Sequence, residues 1–128
     1  MASRAQRLGK LVEVQRQMKA LHEMRHATHL ADAIAAAREA EEVAKRFDES
    51  DSLSALFPEV YHRRIGQALA REEASRALAE QEIRNIAIAS ARLDVVEKDH
   101  RAALALERRM AEEREAVEMV AMIGARRR

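Results

Sequence analysis

The sequence predicts an all-α protein, an antiparallel two-helix coiled-coil hairpin with a longer second helix. Three observations carry that reading. Ala, Glu, Arg, Lys and Leu make up 78 of the 128 residues, above the roughly 50% that marks coiled coils and long helices. Only 3 Gly and 1 Pro are present to punctuate the chain, far too few for the turns of a multi-stranded sheet. Aromatic residues are 2% of the chain, so a compact globular core has few large rings to bury. Such a chain buries Ala, Leu, Ile, Val and Met along a seam instead.

The first helix is expected over about residues 4–46. Ser3 and Gln6 make a capping box at its start, each side chain able to satisfy an orphan N–H. Gly9 is its one weak point and costs about 1 kcal/mol relative to Ala. Leu11, Val14, Met18 and Leu21 follow a 3-4-3 spacing, which reads as a coiled-coil seam. Arg25 and Thr28 come next in that phase, so a stutter is expected there. Apolar residues resume at Leu30, Ile34, Ala37, Val43, Ala44 and Phe47.

A loop is expected over about 48–57. Asp48-Glu-Ser-Asp-Ser52 favours caps and turns over helix interiors. Leu53, Leu56, Phe57 and Tyr61 are expected to fold back and plug the end of the helix pair. Pro58 suits a first helical turn. The second helix then runs over about 58–123, with Gly124 as the residue just past its end. Gly66 marks a place for a bend. Ile86, Leu93 and His100 hold one heptad position; Ala89, Val96, Ala103, Met110, Val117 and Gly124 hold another.

Length arithmetic gives the most informative expectation. The first helix spans about 65 Å and the second about 100 Å at 1.5 Å per residue. Folding at the loop sets Ser3 near residue 100. Beyond it, Leu104, Leu106, Met110, Val117, Val120 and Ile123 have no partner within the chain. An unpaired apolar stripe on a free helix invites another chain.

The chemistry-bearing patterns are sparse. Cys is absent and the formal net charge is +1, which removes thiolate chemistry and any strong pull toward nucleic acid or membranes. His22, His26 and His29 fall within about 60° of one another on a helix, but with no Cys or carboxylate in the stripe they read as polar residues at the seam edge. No metal or cofactor is expected. Glu82, Arg92, Arg108 and Glu112 read as solvated faces making i,i+4 pairs. No phosphate loop, nucleophile elbow or His-Glu-x-x-His run is present, so the chain is not expected to be an enzyme. The basic termini lack the interleaved aromatics that stack bases, so no nucleic-acid partner is expected. Neither a membrane-length apolar run nor a signal-peptide core at Met1–Leu11 is seen; the expected compartment is the cytoplasm.

Three segments carry a resemblance. They are the basic start Arg7-Leu-Gly-Lys-Leu-Val-Glu-Val-Gln-Arg16, the break Leu56-Phe-Pro-Glu-Val-Tyr61, and the helix end Glu107-Arg-Arg-Met-Ala-Glu-Glu-Arg-Glu-Ala116. In this order, over nearly the whole chain, the layout resembles the FliJ-like coiled-coil proteins of the flagellar and type III export apparatus. The resemblance implies a non-enzymatic hairpin peripheral to a membrane complex. It would dock its open end on the export ATPase hexamer and contact the export gate and chaperones. Arg4, Arg7, Leu106, Arg108, Arg109, Met110, Arg114 and Val117 lie at that end and are the candidate partner-binding residues. Two other readings stay open: a self-assembling structural coiled coil such as a homodimer, and a regulatory hairpin inserting its acidic tip into a large enzyme.

Overall fold

The computed structural model describes residues 1–127. Two helices form the hairpin, α1 over Arg4–Asp48 and α2 over Pro58–Arg126, with no strand among the described residues. The capping box forms as read. Ser3 N donates to Gln6 Oε1 at 2.9 Å, and Gln6 N donates to Ser3 Oγ at 3.1 Å. Pro58 opens α2, where its missing N–H leaves no intrahelical bond unmade. Two boundaries differ from expectation. Helix α1 runs on to Asp48, and α2 runs through Gly124 to Arg126. No glycine has positive φ, so Gly124 is an ordinary helical residue and not a left-handed cap. Gly66 likewise lies within α2, with no break in the helix there. No described helix is long and apolar enough to cross a membrane.

Contacts divide the chain into two units, Met1–Met18 with Ala89–Arg128, and Lys19–Ile88. In the first, Ala5, Leu8, Val12 and Gln15 turn inward on α1, and Ala89, Leu93, Val96, His100 and Ala103 on α2. The two helix segments of this pairing run antiparallel. Gly9 faces His100, and Arg16 Nη2 lies 3.3 Å from Glu97 Oε1.

In the second unit the inward line on α1 is Lys19, His22, His26, His29, Ala33, Ala36, Ala40, Val43 and Phe47. On α2 it is Tyr61, Ile65, Ala68, Glu72, Ser75, Ala79, Glu82 and Ile86. Glu39 takes ion pairs from both Arg64 and Arg71 on the opposite helix. At the tip, Phe47 packs edge-on against Tyr61 with centroids 5.9 Å apart, and lies 5.1 Å from the His62 ring. Ser54 Oγ donates to the Phe47 carbonyl at 2.7 Å, and Ser52 Oγ to that of Glu49 at 2.9 Å. The expected plug is therefore only partly made. Phe47 and Tyr61 close the end, while Leu53, Leu56 and Phe57 stay more than half exposed.

The spacing of inward residues on α1 alternates three and four from Ala5 to Phe47 without a break. This overturns the expected seam and its stutter. Leu11, Val14 and Met18 do form a stripe, but it lies beside the seam and is exposed. The reason lies in continuity. Keeping Leu11, Val14 and Met18 inside would require a phase shift before Ala33. An unbroken heptad avoids that shift by seating Gln15, Lys19 and three histidines in the seam. Lys19 can do so because its alkyl stem packs while its amine reaches out; its Nζ lies 4.0 Å from Glu23 Oε1.

Candidate functional site

The polar seam shows what a stripe of histidines is doing here. His22, His26 and His29 occupy seam positions themselves, not its edge, and are half-buried. His22 Nδ1 lies 2.7 Å from Glu82 Oε2. The sequence expectation of a solvated face does not hold for Glu82, which is buried, 8% exposed, and the sole buried charged residue among those described. Its carboxyl feels opposing effects. Burial acts to raise its pKa, but hydrogen bonds with His22 and Asn85 and the charges of His22 and Arg25 outweigh burial and hold it below the ordinary value of 4.5. The pairing answers the rule that a buried charge needs a partner. Arg92, Arg108 and Glu112 are exposed, as read.

Glu-x-x-His spacings, the kind that dinuclear carboxylate bundles use, occur at Glu23–His26, Glu59–His62 and Glu97–His100. They do not converge. Among the described residues, no group of three or more His, Cys, Asp or Glu side chains is placed to hold a metal ion. No buried side-chain nitrogen or oxygen among the described residues is left without a partner.

The surface with the most unmet demand is the far end of α2. Every described residue from Leu106 to Arg127 is exposed. Leu106 and Met110 are each 51% exposed, Val117 69% and Val120 70%. Of the candidate residues, the structure brings Arg4, Leu106 and Met110 together. With Asp99, Ala103 and Glu107 they line one shallow cleft where α1 begins. Arg7 is exposed nearby, on an α1 first turn that holds no acidic residue. The positive end of the helix dipole adds to the charge of both arginines.

The other candidates are spread around α2. At about 100° per residue, Leu106, Met110 and Val117 fall within about 40° of one another. Arg109 and Arg114 flank that line. Arg108 points about 160° away from Leu106 by the same rotation, so it is not part of the face it was grouped with. Two exposed residues were missed, Met119 and Met122. They line a second shallow groove with Glu115, Glu118, Ile123 and Arg126. The signal was in the sequence: between Ala116 and Ala125 only Glu118 is charged, so α2 becomes apolar nearly all round before its end, a pattern usual for buried helices. No family model, curated protein or solved structure matches the chain.

Proposed function

We propose that the protein is a non-enzymatic coiled-coil component of a bacterial flagellar or type III export apparatus. It works in the cytoplasm, peripheral to the membrane complex, and docks the open end of its hairpin on the export ATPase ring. Contacts with the export gate and with chaperones belong to the same reading. The observation that supports it is the far end of α2, where exposed apolar residues continue past the start of α1. A helix recovers the free energy of that surface, about 25 cal/mol per Å² of apolar area, only by burying it against another chain. Leu106, Met110 and Val117 would supply the contact and slow dissociation. Arg4, Arg7, Arg109 and Arg114 would speed encounter with an acidic rim in a salt-dependent way; Arg108, on the opposite side, would reach a ring that encloses the helix.

The test is a pair of variants assayed for binding to the ATPase hexamer and for export, after circular dichroism shows that the hairpin is intact. Met110→Asp with Val117→Asp should lose both. Arg108→Ala with Arg114→Ala should bind more weakly at low salt, with the deficit shrinking as salt rises and screens the native charges. A Met110→Asp, Val117→Asp protein with full export activity would sink the reading.

A further inference from the structure

We propose that in the free protein the exposed end of α2 is covered by the same segment of a second copy, running antiparallel. The inference rests on the structure of this end alone and goes beyond the docking reading, since a ring and a second copy would compete for one surface.

Three features of the end favour this occupant. The first is continuity. Helix α1 starts at Arg4, beside Ala103, Leu106 and Met110. Past that point α2 keeps an apolar line, Leu106, Met110, Val117 and Val120, which Glu113 interrupts at the same heptad spacing; all five are exposed. A second copy's α2, laid antiparallel, runs in the same direction as α1 and continues its line beyond the N-terminus.

The second is length. The exposed stretch from Leu106 to Arg127 is about 30 Å of helix at 1.5 Å per residue. Overlapped from Met110 to Arg127, two such stretches cover each other's line from the point where α1 gives out. Setting Val117 of one copy against Val120 of the other places the twofold axis between residues 118 and 119. The same register sets Met110 against the second copy's Arg127, where α1 gives out.

The third is charge order. The end reads acidic, apolar, basic: Glu112, Glu113 and Glu115 with Arg114 among them, then Ala116 to Ala125 with one charge, then Arg126 and Arg127; by rotation Glu113 lies on the apolar line and Arg127 beside it, while Glu115 and Arg126 face away. Such an order is complementary to its own reverse. Antiparallel pairing brings each Glu113 within about a turn of the other copy's Arg127, whereas parallel pairing sets Glu113 on Glu113 and Arg127 on Arg127. The contact is isologous and closed, so it stops at a dimer.

The purified protein alone tests this, by sedimentation across a concentration series. The native chain should rise from 14.5 kDa to twice that mass, and Met110→Asp with Val117→Asp should hold it at the lower value. Two charge variants report the pairing: Glu112→Lys with Glu113→Lys, and Arg126→Glu with Arg127→Glu. Each alone should dimerise about tenfold more weakly, for like charges now face each other. An equimolar mixture should recover native affinity as a heterodimer. Orientation follows from single cysteines in a chain that has none. Met110→Cys should form a disulfide with Arg127→Cys and not with itself. The proposal is overturned by a chain that stays monomeric at all concentrations, including one that binds phosphatidylglycerol vesicles instead. It is also overturned by a Met110→Cys homodisulfide, which means parallel pairing, or by a dimer that survives the aspartate pair.

Discussion

His22 on α1 and Glu82 on α2, 60 residues apart in sequence, meet at 2.7 Å inside the seam between the helices. Asn85 and Arg25 stand around the same carboxylate. The pair gives a buried carboxylate the partner it needs, since a buried unpaired charge is costly; a one-heptad slide of α1 would set Gln15 or His29 in the place of His22.

A pH dependence follows, and its sign is set by Glu82. The folded carboxyl lies below 4.5, so its ionisation stabilises the fold fully above that value. The contribution is lost as pH falls through the lower folded value. Glu82→Gln lacks it throughout. Thermal melts should show the native chain above Glu82→Gln at pH values above 4.5, with the gap closing as pH falls below it. A gap that persists unchanged in stronger acid would show that Glu82 does not contribute as a charge.

Gly9 answers to His100. A Cβ at Gly9 would lie 3.2 Å from His100 Nε2, close enough that the imidazole must give way. Replacing Gly9 by Ala should therefore recover little of the about 1 kcal/mol that helix propensity offers. In a His100→Ala background the same change should recover nearly all of it. A double-mutant cycle in urea measures the difference; equal gains in both backgrounds would mean that the ring moves freely.

How much of this could be read from the residues depends on which helix is considered. On α2, Ile86, Leu93 and His100 with Ala89, Val96 and Ala103 mark the true seam, because large apolar residues occupy inward positions there. On α1 the large residues mislead. Leu11, Val14, Met18 and Leu21 have ideal seam spacing, yet all but Leu21 are exposed, and the inward line beside them holds Gln15, Lys19 and His22. A polar seam gives no local signal when the group that satisfies it, Glu82, comes from another helix. The overhang was legible because it depends only on helix lengths. Arg108 was misplaced by grouping residues by proximity in sequence when rotation around the helix decides.

Val12 and Val14 test the corrected seam directly. Val12 is 5% exposed and Val14 49%. Val12→Ala should cost about 1.5–2.5 kcal/mol, the loss of two buried carbons plus some cavity. Val14→Ala should cost under about 0.5 kcal/mol, as surface changes do. Chemical denaturation of the two variants separates the seams, and the reverse order of costs would restore the line through Leu11 and Met18.

The acidic tip offers the last discrimination, between a hairpin that works through its open end and one that works through its loop. Asp48, Glu49 and Asp51 are exposed. The loop does not depend on their carboxylates for its shape. Ser54 and Ser52 hydroxyls hold the Phe47 and Glu49 carbonyls, and Leu56 N and Phe57 N donate to the Leu53 carbonyl at 3.1 and 2.9 Å. Changing all three acids to Asn should leave helicity intact and shift stability by under about 0.5 kcal/mol. Ser54→Ala should cost about 1 kcal/mol by releasing the Phe47 carbonyl. For binding the expectation reverses the usual logic of exposed charge. Under the proposed docking, the triple Asn variant should bind the export ATPase as well as the native chain, at low and high salt alike, because the neutralised charges are on the loop and not on the end of α2 that carries Met110 and Val117. If neutralising the tip abolished binding while Met110→Asp with Val117→Asp did not, the loop would be the working end and the hairpin would act by inserting its tip into a large partner.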